Sequence, residues 1–132
     1  MKAARKLNTG DRVSISEARK LQRQIKIKKW EDMLAEMLDQ ESIKYYREIK
    51  PFFARKFRWD FAIHTTGSSS ILIEVHGQIW KKGGHSSGGG ITRDAEKLNA
   101  AVLAGYRPLV FTPEHIKSGY AILTILKAIG RE

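Results

Sequence analysis

The chain has 132 residues, enough for one domain with its own core and too few for two domains and a linker. It has no cysteine, which excludes disulfide frameworks and thiolate zinc sites, and apolar runs such as Ala121-Ile122-Leu123-Thr124-Ile125-Leu126 fall far short of the ~20 residues a membrane helix needs. The formal charge of +10 is uneven: residues 1–29 hold ten Lys and Arg against Asp11 and Glu17, and residues 30–132 hold fourteen against twelve acids.

A basic N-terminal arm over residues 1–29 is therefore expected ahead of a folded domain over residues 30–132. Such a block attracts polyanions through counterion release without reading sequence; the plain alternative is a solvated tail. With no apolar leader stretch, a cytoplasmic location is the expectation. Ser14-Ile15-Ser16-Glu17 fits a capping box that opens a basic helix running toward Lys29, with Arg19, Arg23 and Lys26 on its polar face. Trp30, Met33, Leu34, Met37 and Leu38 recur at helical spacing and predict a core-facing helix.

Across residues 45–63, aromatic and β-branched residues interrupted by Pro51 predict two strands joined near Pro51-Phe52-Phe53-Ala54. Residues 65–70 are a loop by composition, and residues 71–76 are apolar enough for a central strand covered on both faces. Residues 83–90 read as a flexible Gly/Ser segment. Thr92 is then expected to cap a helix with Leu98, Ala101 and Val102 as its buried stripe, ending at Gly105. Arg107–Phe111 predicts a strand, and Thr112-Pro113-Glu114 opens a last helix. The Ile122, Ile125 and Leu126 side chains of that helix either cover the sheet or face a second copy of the chain. The order is helix, three strands, helix, strand, helix, an α/β arrangement.

Two strand segments carry the chemistry. Arg58-Trp59-Asp60-Phe61-Ala62-Ile63 and Ile71-Leu72-Ile73-Glu74-Val75-His76-Gly77 each set one carboxylate in apolar surroundings, where an ionised group is costly unless a cation or several donors compensate it. On neighbouring strands the two side chains can converge. Close carboxylates resist joint ionisation, and a divalent cation resolves the conflict; oxygen ligands alone favour Mg²⁺ or Mn²⁺ over zinc. The bland alternative is a buried acid pair neutralised by Arg58 or Lys97. Gly77 after His76 suggests a close backbone approach, and a packed core histidine is the plain reading of His76.

A strand with Asp, a following strand with Glu-x-polar, then a helix and a further strand resembles the PD-(D/E)XK nuclease superfamily. The resemblance implies a restriction-endonuclease-like core (αβββαβα, a mixed central sheet flanked by helices) and Mg²⁺-dependent hydrolysis of DNA phosphodiester bonds, with Mn²⁺ able to substitute. It also implies that Asp60, Glu74 and the Val75 carbonyl hold the metal. His76 stands where the superfamily usually has Lys, as a base or to orient the nucleophile. Lys97, within Arg93-Asp94-Ala95-Glu96-Lys97, is the alternative source of positive charge. Glu48 is the candidate for a further acid contributed near the first helix and strand; otherwise it balances Arg47 or Lys50.

His76-Gly77-Gln78-Ile79-Trp80, then His85, Arg93-Asp94 and Gly105-Tyr106-Arg107-Pro108-Leu109-Val110 resemble the layout of very-short-patch mismatch repair endonucleases and their small phage and bacterial relatives. Here Lys81 follows Trp80, where those enzymes carry a catalytic His. The loop with Lys81, Lys82 and His85, and Arg93 on the helix after it, suit DNA phosphates; a plain flexible connection is the alternative. The implied substrate is branched or distorted DNA in recombination or repair. For a four-way (Holliday) junction, two active sites and hence a homodimer follow. The competing reading is a non-catalytic DNA-binding module that keeps the fold, with the arm supplying affinity.

Overall fold

The computed structural model describes residues 14–51, 56–77 and 88–131. In chain order the elements are α1 (Ile15–Gln40), β1 (Tyr46–Ile49), β2 (Trp59–Ile63), β3 (Ile71–Val75), α2 (Gly88–Leu103), β4 (Arg107–Phe111), α3 (Pro113–Ser118) and α4 (Tyr120–Ala128). The chain is a mixed α/β fold with one four-stranded sheet in the order β1-β2-β3-β4. β1, β2 and β3 run antiparallel as a meander, and β4 returns parallel to β3 after α2 crosses over.

The alternation of β3 divides the sheet into two faces. Ile71, Ile73 and Val75 pack with Phe61 and Ile63 of β2, Leu34, Ala35 and Leu38 of α1, Ile116 of α3, and Ala121 and Ile125 of α4. Leu72 points the other way, into a smaller cluster with Trp59 and Ala101 of α2. The central position of β3, covered on both faces, explains its nearly continuous apolar sequence.

Ser14 is the N-cap of α1, and the reciprocal Ser14–Glu17 capping box is formed. The helix does not stop near Lys29; it runs unbroken through residues 29 and 30 to Gln40, so basic arm and core helix are one element. Its inward stripe is Glu31, Leu34, Ala35 and Leu38, with Trp30, Met33 and Met37 only partly buried at its flanks. Relative to the apolar pattern of the sequence, the helix is rolled enough to bring a carboxylate inside.

Three expectations need correction. α2 begins at Gly88, so Thr92 is not its cap and Gly88-Gly89-Gly90 form its first turn, despite the roughly 1 kcal/mol that propensity charges each glycine. Of its expected buried stripe only Ala101 is buried; Leu98 and Val102 are exposed. The rotation of α2 is fixed by Lys97, which reaches inward to Glu74 and lies 4.6 Å from the centre of the Trp59 ring. The last helix is two: Gly119 in the left-handed region (φ 89°) ends α3, which Thr112 caps, and α4 starts anew. Ile122, Ile125 and Leu126 cover the sheet rather than await a partner.

Candidate functional site

The antiparallel register pairs Phe61 with Ile73, so Asp60, one residue before, and Glu74, one residue after, come to the same end of the sheet. Both carboxylates line one cleft of about 230 Å³ at this end of the sheet, together with Val75, His76 and Gly77 of the β3 end, Arg58 before β2, Lys97 of α2, and Ile27 and Glu31 of α1. Asp60 is buried, with 6% of its surface exposed, and accepts a hydrogen bond of 2.7 Å from the Val75 backbone N–H. Its second oxygen lies 3.7 Å from the Arg58 guanidinium. Glu74 accepts from Lys97 Nζ on one oxygen and lies 3.1 Å from His76 Nε2 on the other. Lys97 also donates to the Arg58 carbonyl, so its ammonium is held by a carboxylate, a carbonyl and an aromatic face at once.

Glu31 is the residue that motif reading misses. It is 7% exposed and meets Asp60 from across the cleft. Burial, then the charge of Asp60, then a hydrogen bond to Asp60 raise its carboxyl to about 7, against the pull of Arg58 and Arg47. A signal did exist: Glu31 precedes Leu34, Ala35 and Leu38 by three, four and seven residues, which puts an acid on the same helical face as three core residues.

The other carboxyls diverge. Burial and the neighbouring Glu74 raise Asp60, although the Val75 N–H works against them. Burial pushes Glu74 upward too, but the hydrogen bonds from His76 and Lys97 overcome it and hold Glu74 below its ordinary value. The Glu74 hydrogen bond raises His76 in turn, with Asp94 adding to the effect, so the imidazole carries more positive charge near neutrality than a free histidine. This moves His76 away from the neutral base expected of it and toward a cationic partner of Glu74.

Of the expected site residues, Asp60, Glu74, Val75, His76 and Lys97 come together. Glu48 does not. It sits on β1 with a positive φ of 52° and its exposed carboxylate pairs with Lys28 at 3.9 Å and Arg58 at 3.7 Å, so it touches the cleft only through Arg58. The acid that the first helix brings to the site is Glu31. Arg93 is exposed on α2 with its guanidinium 5.5 Å from the centre of the Phe57 ring, and Arg19, Arg23 and Lys26 are exposed along α1. Lys81, Lys82 and His85 lie outside the described residues.

Among the described residues no group of three or more His, Cys, Asp or Glu side chains has the spacing of a metal centre, and no helix is long and apolar enough to cross a membrane. The acids that converge offer oxygens, the class that Mg²⁺ and Mn²⁺ take, with the His76 Nε2 beside them. Glu31 and Asp60 are carboxyls in hydrogen-bond contact, and such a pair is a place where a divalent cation can replace a proton. No family model, curated protein or solved structure matches the chain.

Proposed function

We propose that the protein is a metal-dependent DNA endonuclease of the PD-(D/E)XK type, with a restriction-endonuclease-like core. One observation carries the reading: carboxylates from two paired strands line the same cleft, and a lysine from the following helix enters it. Asp60, Glu74 and the Val75 carbonyl would hold Mg²⁺, with Mn²⁺ able to substitute. Bound there, the cation supplies polarisation of the scissile phosphodiester and a lowered pKa for the attacking water.

The remaining roles belong to the chain. Lys97, fixed by Glu74 and the Trp59 ring, provides positive charge where negative charge develops on the phosphate. His76, bonded to Glu74, orients the water rather than starting as its base. Arg58 and Glu31 close the cleft's electrostatics around Asp60. Arg93 on α2, and Arg19, Arg23 and Lys26 on α1, offer exposed cations to the DNA backbone, as Lys81, Lys82 and His85 do in the reading of the sequence. With phosphate-binding cations and no base-reading motif, selectivity for branched or distorted DNA is favoured over a long recognition sequence. A four-way junction as substrate calls for a homodimer.

The second reading is a non-catalytic DNA-binding module. It is favoured by the pairing of each acid with a cation, Asp60 with Arg58 and Glu74 with Lys97 and His76. A cleavage panel of junction, flap, mismatched and plain duplex DNA, with and without Mg²⁺ or Mn²⁺, separates the two. For the nuclease, Asp60→Asn and Glu74→Gln each lower metal-dependent cleavage by roughly 100-fold or more while DNA binding persists. A wild-type protein that binds DNA and cuts none of the panel with either metal overturns it.

A further inference from the structure

Gly77 follows His76 beyond the end of β3 and lines the cleft beside Ile27 of α1. A Cβ built on Gly77 would stand 2.7 Å from Ile27 Cγ1, 3.5 Å from its Cβ and 3.6 Å from its Cα. The first distance is well inside the ~3.5–4.0 Å optimum for two carbon atoms. The obstacle is stiff, because a β-branched side chain in a helix has one strongly preferred χ1 rotamer. With Ile27 held to its preferred rotamer, the relief open to the structure is to part the helix from the end of β3. Gly77 lies outside the left-handed backbone region, so space and not conformation demands glycine here.

Ile27 is one turn ahead of Glu31, on the same face of α1. A lift at Ile27 therefore carries the Glu31 carboxyl away from Asp60. We propose that Gly77 is a positioning residue: its bare backbone seats Ile27, and this contact sets the height of α1 over the end of β3 and holds Glu31 against Asp60. The seat also lies where the exposed basic half of α1 gives way to its packed half, so this contact sits at the join of arm and cleft. The role needs the cleft as built, not the cleavage reaction.

The test is a coupling measured without metal. Unfolding free energies of Glu31→Gln, Asp60→Asn and the pair are compared in the wild-type, Gly77→Ala and Gly77→Ala/Ile27→Ala backgrounds. The expected result is non-additivity between positions 31 and 60 in the wild type, additivity in Gly77→Ala, and non-additivity again once Ile27→Ala relieves the clash. Loss of packing alone lowers stability in every variant and restores no coupling. Additivity in the wild type, coupling that survives Gly77→Ala, or coupling that fails to return in the double background overturns the proposal. If Gly77→Ala does not fold, the double background must; an unfolded double variant also overturns it. Mg²⁺ titration calorimetry on the wild type addresses the metal reading separately, and the absence of binding there leaves the coupling result standing.

Discussion

Residues 15–29 and 30–40 belong to the same helix. The first stretch leaves Ile15, Leu21 and Ile25 in solvent beside Arg19, Arg23 and Lys26, whereas the second buries Glu31, Leu34, Ala35 and Leu38. Identical backbone geometry thus serves two different jobs. The packed half is held by burial of its apolar face against α3, α4 and β3. The exposed half relies on its capping box, its intrinsic propensity, its continuity with the packed half and, near its end, Ile27 on Gly77 and the Lys28–Glu48 ion pair, since an isolated helix under about 12–15 residues is marginal in water. A basic rod is consequently tied without a hinge to the residue that closes the cleft over Asp60, and Ile27 on Gly77 marks the join.

Substitution of core residues should break the comparison most visibly. Leu34→Ala, at a fully buried position, is expected to cost about 2–5 kcal/mol in urea unfolding. Leu21→Ala, at a side chain 57% exposed, should stay within about 0.5 kcal/mol. Equal costs would mean that the arm half is packed in solution.

The buried acid gives the packed half a pH signature. Because the folded Glu31 carboxyl titrates near 7 and its ordinary value is 4.5, the folded protein keeps a proton that the unfolded chain has released. Stability from this group is fully present below pH 4.5 and is lost as pH rises through 7, by up to about 3 kcal/mol. Asp60, also raised, acts in the same direction. His76, raised from 6.5, loses its contribution only as pH climbs beyond that value. Glu74 is lowered, so its contribution is present above pH 4.5 and disappears in acid. Glu31→Gln should flatten the decline between pH 4.5 and 7 in a series of urea titrations; an unchanged decline places its origin elsewhere.

Under the proposed DNA binding, the exposed half is expected to answer to salt. Replacing Arg19, Arg23 and Lys26 together with Gln is expected to reduce the slope of log affinity against log salt for duplex DNA by about 2.7, or 0.9 for each lost phosphate contact. A slope that does not move means these side chains leave the backbone untouched. The smallest effect belongs to the cap: Ser14→Ala should remove about 1 kcal/mol of local helix stability. It is visible as faster amide exchange in the first turns of α1, with the global unfolding midpoint in place.

The strands and the two acids they carry were legible because their signals are local. Apolar character alternates or saturates along β2 and β3, the capping box at Ser14 and the cap at Thr112 are spelled out within four residues, and a lone acid in each apolar strand marks the cleft before any coordinates are seen. The place of Glu48, open between a site acid and a charge partner, and the rotation of α2 escaped the sequence for one shared reason. Both depend on how far an element is rolled about its own axis, and that angle is set by partners far away in the chain. Lys97 turns α2 by reaching Glu74, and Leu34, Ala35 and Leu38 turn α1 so that Glu31 is the acid that enters.

The amino-acid sequence by itself determined the order of elements as far as the last strand, the uneven charge, and which two strand carboxylates could meet, since these follow from periodicity and composition over short windows. The tertiary structure alone decided that arm and core share one helix, that Glu31 and not Glu48 faces Asp60, and that Gly77 is bare because Ile27 occupies the space. The last two are contacts between segments tens of residues apart, fixed by packing and burial; helical spacing turns Glu31 inward but does not name its partner.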